Sequence, residues 1–509
     1  MSGKVWLVGA GPGDPGLITV RGLELLAGAE VVLHDALAHP ALLEACPDAE
    51  HRYVGKRYGE PSSVQDAINQ ELIELAQSGK RVVRLKGGDP LLFARGGEEA
   101  AALRAAGIDF EVVPAVSSPV GAATYAGIPL THRELSSSVT FITGSDRAGV
   151  AWSPASWRKL ATATDTICVL MGMRRLEAIL EAIVEGGRDP NTPVAVIQWG
   201  TRPAQRVVTG TLTDVAAKVR TEGLTNPAVI VVGEVVRLRE ELRWFDTGPL
   251  FGQRVLVPRP LSQAARTAQA IRERGAEPVV LPLIEIHPPP DPDALRRAAR
   301  EAGSYDWVLF TSANGVERFF AALREVGLDA RAFRAARIAV IGPRTADALE
   351  RFGVRADLVA KEYVGEALAR DLLEGGVPGR VLLARALVAR DALPTLLRER
   401  GTHVDVVPAY QTKPAPHDRL LETFEAKALD IVLLTSSSTV SSLSAALGDR
   451  AAECLASVCV ASIGPVTSET ARELGIRIDV AATTHTVAGL LDALESHFRA
   501  KKLPATAER

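Results

Sequence analysis

The chain lacks the features that would place it in several large functional classes. Its 509 residues include only four cysteines, Cys46, Cys168, Cys454 and Cys459. None forms a C-x-x-C pair or a metal spacing with histidine, so neither a disulfide framework nor a metal site is expected. They read as packing residues in a reducing compartment. No apolar run approaches the roughly 18 residues of a membrane span, and residues 1–10 are too short an apolar segment before glycine and proline for a secretory signal. A cytoplasmic protein without a membrane partner is therefore expected. Formal net charge is only −3, which gives no global field to attract nucleic acid; an anionic substrate must be met by local arginines.

What is present is ordinary soluble material, 47% apolar and 23% charged, in a chain too long for one core. The runs VWLVGA, VVLHD, RVVRLKGGD and FEVVPA alternate with helical segments through residue 116, the pattern of a parallel α/β unit. SVTFITG, TICVLMGM, PVAVIQWG and NPAVIVVGEVV supply a second set of strands to about residue 245. The stretch FDTGPLFGQ has turn residues without periodicity and reads as a linker. The tail after Phe498 is expected to fray.

The second half carries an internal duplication. GQRVLVPRP is answered by GRVLLARA and RERGAEPVVLP by RERGTHVDVVP, both offset by 126 residues; DWVLFTSANGV is answered by DIVLLTSSSTV and RIAVIGPRTADAL by VCVASIGPVTSETA. Four landmarks in one order predict two similar open parallel α/β sheets. Ligands of such sheets sit at the carboxyl ends of strands, where the T-S and I-G-P turns fall.

Near the start, VGAGPGDPGLITVRG contains G-x-G-x-x-G as Gly11, Gly13 and Gly16. A pyrophosphate needs free backbone N–H groups at a helix N-terminus, but Pro12 and Pro15 remove two donors and Asp14 brings a competing negative charge. Asp14 reads as an N-cap with Pro15 at the first position of a helix bearing Leu17, Leu23, Leu25 and Leu26. The loop is then either a turn that lets a neutral or cationic ligand approach the backbone, or a tight turn and nothing more. Asp35, at the end of VVLH, suits a general base facing a cleft or a helix cap; Lys56, in YVGKRYGE, suits a proton donor or a solvated lysine. In KGGDPLLFARGGEE, Gly87 and Gly88 permit close approach of a ligand, and Asp89 supplies an acceptor fit for hydroxyls or a cation.

The blocks VWLVGAGPGDPGLITVRGLELL, VVLHDAL, VGKR, NQEL, GKRVVRLKGGDPLLFARGGEE, GIPLTHRE, MGM, QWGT and NPAVIVVGEVV occur in the order seen in uroporphyrinogen-III C-methyltransferases, which residues 3 to 245 resemble. The resemblance implies a two-lobed α/β fold that binds S-adenosyl-L-methionine and methylates C-2 and C-7 of uroporphyrinogen III, giving precorrin-2. It implies that Pro12, Gly87, Gly88, Asp89, Leu92, Ser117, Ser118, Met171, Gly200 and Ala228 hold the cofactor. Asp35 matches the family's proton acceptor and Lys56 its donor. Ala36 departs from the arginine that many members carry after the aspartate. A homodimer through this half is also implied.

Residues 252 to 498 resemble uroporphyrinogen-III synthase through TSANGV, IGPRTA, PAYQT, TSSSTV and SIGPVTSETA. That family closes hydroxymethylbilane to uroporphyrinogen III without a cofactor. The expected organisation is a methyltransferase over 1–245 (lobes 1–116 and 117–245), a linker at 246–252, and a synthase over 253–498 with one lobe of 253–283 plus 409–498 and another of 284–408, then a tail at 499–509. Tyr410 is a candidate donor to the departing hydroxyl, or a tyrosine anchoring a strand end. Thr311, Ser312, Asn314, Thr435, Ser436 and Thr467 are expected to line the cleft, with Arg259 and Arg344 pairing with substrate carboxylates. No metal is called for. A rival reading makes the second half a non-catalytic tetrapyrrole-binding or sensing module.

Overall fold

The computed structural model describes residues 3–55, 63–144, 154–362 and 364–502. The chain forms two compact units. One comprises Met1–Val255, Ala268–Val279 and Ala488–Arg509, and the other Leu256–Thr267 and Val280–Val487. The four division points fall within two strands and two helices of the second half.

The first sheet has the order Glu50–Tyr53, Val31–His34, Arg81–Lys86, Lys4–Gly9, Asp109–Val113, and every pairing in it is parallel. Its central strands are buried on both faces, as helix-covered parallel strands must be, and their buried residues are apolar apart from Arg84 and Lys86 near the end of Arg81–Lys86. The second sheet runs Val139–Thr143, Thr166–Leu170, Ala228–Val232, Pro193–Gln198, Arg206–Thr211. Only its first pair is parallel; the rest are antiparallel.

In the second half, one sheet has the order Glu277–Val280, Arg254–Val257, Ile431–Leu434, Cys459–Ser462, Val480–Ala481. The other has Ile284–His287, His403–Pro414, Arg380–Ala386, Trp307–Phe310, Arg337–Val340, Leu358–Val359. Apart from Ile284–His287, which adds antiparallel to His403–Pro414, the orders match strand for strand, as the duplication predicts. Local devices repeat as well. Ser312 caps its helix by accepting from the Gly315 amide, and Ser436 does so from Thr439. The Asp357 carboxylate accepts from the Ile338 amide and Asp479 from Val460. Within the core under Trp307–Phe310, Phe310 and Phe319 are fully buried with ring centroids 5.5 Å apart. Burial of each such ring contributes about 1.5–3 kcal/mol.

All four cysteines are free and buried, as packing residues should be. Three expectations change. The segment after Asp14 is not one helix: Asp14 caps a single turn of 3-10 helix at Pro15–Leu17, Ile18 is extended, and Thr19 caps a separate helix at Val20–Ala27 through the Gly22 amide. A second capping residue within five positions divides the segment. The stretch 245–253 is packed: Leu250 is fully buried, Phe245 meets Tyr125 and Phe251 edge-on at 4.7 and 5.4 Å, and Asp246 pairs with the nearly buried Arg239. Its aromatic content outweighs its turn residues. The last helix continues past Phe498 to Lys502; residues 503–509 lie outside those described.

Candidate active sites

The first unit holds a cavity of about 660 Å³, a size typical of small-molecule sites. Residues of the first sheet's loops (Pro12, Leu37, Gly87, Gly88, Ser118) line it with residues of the second sheet's loops (Met171, Trp199, Gly200, Asn226, Ala228). The glycine-rich turn explains why no pyrophosphate belongs here. The Gly11 amide donates to the Gly88 carbonyl, Asp14 to Thr201 Oγ1, Gly16 to Asp14 Oδ1 and Leu17 to the Asp14 carbonyl, while Pro12 and Pro15 have no N–H. A phosphate cradle needs those donors free. The other side of Asp14 accepts from the Tyr125 hydroxyl at 2.8 Å, and burial together with that carboxylate raises the Tyr125 phenol above its ordinary pKa.

Close approach is written into the backbone. A Cβ on Gly121 would stand 2.4 Å from Pro12, and one on Gly200 would stand 2.4 Å from Ala122. Gly88 is different. Its φ is +70°, and beyond its chain neighbours the one atom of the described residues within 4 Å of its missing Cβ is the Ser118 nitrogen at 3.6 Å, so the space belongs to the cavity. Met171, Trp199 and Thr201 adopt positive φ around the same cavity, a strain of order 1–3 kcal/mol each of the kind concentrated at ligand sites.

Seven of the ten expected cofactor residues meet here: Pro12, Gly87, Gly88, Ser118, Met171, Gly200 and Ala228 line the cavity. Ser117 is the residue preceding helix Ser118–Tyr125. Asp89 lies behind the wall, with Oδ1 accepting from the Leu91 and Leu92 amides and Oδ2 from Ala115; it shapes the loop, and Leu92 is held by it. Asp35 stands beside the lining. Its Oδ1 accepts from the amides of Leu37 and Ala38, and its Oδ2 faces Arg84 at 3.7 Å. Lys56 lies outside the described residues. Sequence reasoning passed over Arg174, Arg175 and Arg202, which also line the cavity. They directly follow MGM and QWGT, and this adjacency was the available signal. Arg202 packs over the Trp199 ring at 5.0 Å and donates to the Leu37 carbonyl at 2.8 Å.

The second unit has a cavity of about 440 Å³ lined by Thr311, Ser312, Asn314 and Arg344 together with Ile341, Gly342 and Pro343. Tyr410 is buried behind it, its hydroxyl 3.1 Å from Ser312 Oγ. Arg259 is partly enclosed, and burial, with Arg344 as a like charge, disfavours its charged form. Thr435, Ser436 and Thr467 occupy the corresponding turns of the duplicated sheet: Ser436 caps its helix, and Thr467 is buried in the first turn of Pro465–Glu473. They do not line the 440 Å³ cavity.

The family described as tetrapyrrole (corrin/porphyrin) methylases matches residues 4–216, and uroporphyrinogen-III synthase HemD matches residues 265–492. The porphyrin biosynthesis protein HemD of Ruminiclostridium josui is 38% identical over 496 residues, 97% of each chain. The chain belongs to the fused uroporphyrinogen-III C-methyltransferase and uroporphyrinogen-III synthase family. A uroporphyrinogen-III C-methyltransferase of Bacillus subtilis is 40% identical over 331 residues, 65% of this chain and 68% of that one. Among solved structures, a uroporphyrin-III C-methyltransferase of Thermus thermophilus complexed with S-adenosylhomocysteine is 38% identical, covering 46% of this chain and 94% of that one with a TM-score of 0.40. The first cavity's lining from Gly11 to Arg202 lies within the first family match, with Asn226 to Val229 beyond it, and the Thr311 to Thr345 cavity lies within the second.

Proposed function

We propose that this chain closes hydroxymethylbilane to uroporphyrinogen III and methylates the product at C-2 and C-7 with S-adenosyl-L-methionine, giving precorrin-2. The observation that carries the methyltransferase part is the Gly88 cradle: a side-chain-free wall, with the turn's Gly11, Asp14, Gly16 and Leu17 amides already engaged, suits a cofactor lacking phosphate. Bound there, the cofactor supplies an electrophilic methyl group. Gly87, Gly88, Gly200 and Ala228 give it backbone contact, while Pro12 and Met171 supply apolar surface. Asp35 takes the proton released as the substrate carbon gains its methyl group, and Lys56 returns a proton to the ring. Arg174, Arg175 and Arg202 offer cationic partners for carboxylates.

Ring closure expels the substrate hydroxyl as water. Ser312, hydrogen-bonded to Tyr410, presents a hydroxyl to the cavity, and the pair assists that departure. Arg344 and Arg259 neutralise substrate carboxylates, and Thr311 and Asn314 orient them. Thr435, Ser436 and Thr467 serve the same substrate from the duplicated turns. The family match over 265–492 favours catalysis over a binding or sensing module. A homodimer through the methyltransferase half and a cytoplasmic location complete the reading; no helix among the described residues is long and apolar enough to cross a membrane.

A coupled assay tests the whole. Hydroxymethylbilane and S-adenosylmethionine should yield uroporphyrinogen III followed by a dimethylated product. Accumulation of the symmetric uroporphyrinogen isomer alone would sink the synthase assignment, and uroporphyrinogen III without methylation would sink the other.

A further inference from the structure

A buried charge cluster lies behind Asp35. Arg84 and Lys86 project from the same side of strand Arg81–Lys86, two residues apart. Glu99, in the first turn of helix Gly96–Ala105, meets both. Its Oε1 lies 2.8 Å from Lys86 Nζ, 3.3 Å from Arg84 Nε and 3.2 Å from Gln65 Nε2. Side-chain exposure is 0% for Glu99, 3% for Lys86 and 5% for Arg84. The second carboxylate oxygen of Glu99, Oε2, is buried and has no hydrogen-bond partner among the described residues.

Stability alone explains this arrangement poorly. Buried ion groups recover their desolvation cost only with full hydrogen bonding, and apolar residues of similar volume often do as well. An orphaned carboxylate oxygen deepens that cost. What the cluster achieves is the aim of one guanidinium. Arg84 Nη1 donates to the carbonyls of Leu85 at 3.1 Å and Leu33 at 3.4 Å, Nε faces Glu99, and Nη2 is left directed at Asp35. Lys86, whose ammonium is disfavoured by burial and by Arg84, is balanced by Glu99. Two cations and two carboxylates then sum to zero, with Asp35 the only member reaching solvent.

We infer that Glu99 is a positioning residue for methyl transfer: by fixing Arg84 and neutralising Lys86, it holds the Asp35 carboxylate in the orientation that accepts the substrate proton. This rests on Asp35 as proton acceptor. Arg84 divides its three nitrogens among Asp35, Glu99 and two carbonyls, so loss of Glu99 removes one of the contacts that fix its guanidinium against Asp35.

The test is a double-mutant cycle in the full chain, with ring closure as an internal check on folding. Glu99→Gln should lower the methylation kcat about 10- to 100-fold, the scale of a misplaced reacting group, with S-adenosylmethionine affinity unchanged. Glu99→Asp should recover part of the loss. In an Arg84→Met background, Glu99→Gln should cost clearly less than it does alone, because the hold of Glu99 on Asp35 runs through Arg84 while its contact with Lys86 remains. Should Glu99→Gln fail to fold, the cycle is read with Glu99→Asp. Additive losses in kcat, or normal kcat per folded molecule in Glu99→Gln, overturn the proposal. Near-normal methylation by Asp35→Asn overturns the proton-acceptor reading and this one with it. Loss of methylation in Asp35→Asn beside a silent Glu99→Gln overturns only the role of Glu99.

Discussion

The two cavities differ most in what stands behind them. The methyltransferase cavity is lined by glycine and proline together with Arg174, Arg175 and Arg202, and its proposed proton acceptor stands against buried charge, with Arg84, Lys86 and Glu99 nearly without solvent. The cavity of the second unit presents hydroxyls, an amide and one arginine, and its nearest buried polar contact is the neutral Tyr410–Ser312 pair. The difference follows the proposed chemistries. Removing a proton from carbon needs an anionic base whose ionised form is held in place. Expelling a hydroxyl from an already reactive chain needs hydrogen bonds and a fixed substrate shape.

The largest test of that contrast is Asp35→Asn. Methylation should fall about 10²- to 10⁴-fold, the range for loss of a general base, while ring closure by the same chain and cofactor affinity stay normal. Steady-state rates of both reactions and a cofactor titration check it. Near-normal methylation with weakened cofactor binding would make Asp35 a cofactor ligand and erase the contrast.

Tyr410→Phe probes the other cavity. Ring closure should slow about 10- to 10³-fold, up to the effect of losing an oxyanion-hole donor, with methylation untouched. The hydroxyl's partner is Ser312, which also caps its helix. A change confined to melting temperature, with unaltered activity per folded molecule, would assign Tyr410 to anchoring that turn.

Much of this was legible in the chain, and the reasons differ by region. The duplicated sheets could be read because their devices are local: the T-S and I-G-P turns recur with their flanking strands, and the repeated strand order follows from them. The glycine turn could be read from what its prolines lack. The Arg84 and Lys86 cluster was missed although RVVRLK places two cations inside an apolar strand, because the compensating Glu99 comes from another element and alternation alone cannot tell a buried cation from a solvated one. The type of Asp89 suggested a ligand contact, and the part that sequence could not show is that three backbone amides of its own loop and of Ala115 use its oxygens. The stretch 245–253 was under-read because turn residues masked Leu250 and the aromatic contacts of Phe245 and Phe251.

Gly88→Val sharpens the contrast at the level of backbone. The protein leaves room at the missing Cβ, with one atom at 3.6 Å, so the obstruction falls on the ligand; the φ of +70° adds about 1–2 kcal/mol of strain. Cofactor affinity should weaken about 10- to 100-fold, since each 1.4 kcal/mol is tenfold. Ring closure should be indifferent. Calorimetric titration of folded variant gives the answer, and unchanged affinity removes this loop from the site.

The smallest expected effect comes from within the duplication itself. Pro343 and Pro465 open corresponding helices, so Arg344 and Val466 are the same position in two copies. Arg344 lines the 440 Å³ cavity and is a like charge to partly enclosed Arg259. Val466 is 74% exposed. Two cations are brought together at a cost that an arriving carboxylate relieves, so the copy with arginine should hold the substrate's acidic side chains and the copy with valine should not. Arg344→Ala should raise KM for hydroxymethylbilane about tenfold, the lower end of a charge-assisted hydrogen bond, with a smaller change in kcat. The increase should shrink as salt rises, because screening already weakens the native contact. Val466→Ala should change KM by less than about twofold, as surface substitutions usually do. Equal effects at the two positions would mean that the copies share the substrate evenly, and that the asymmetry between arginine and valine has no part in binding.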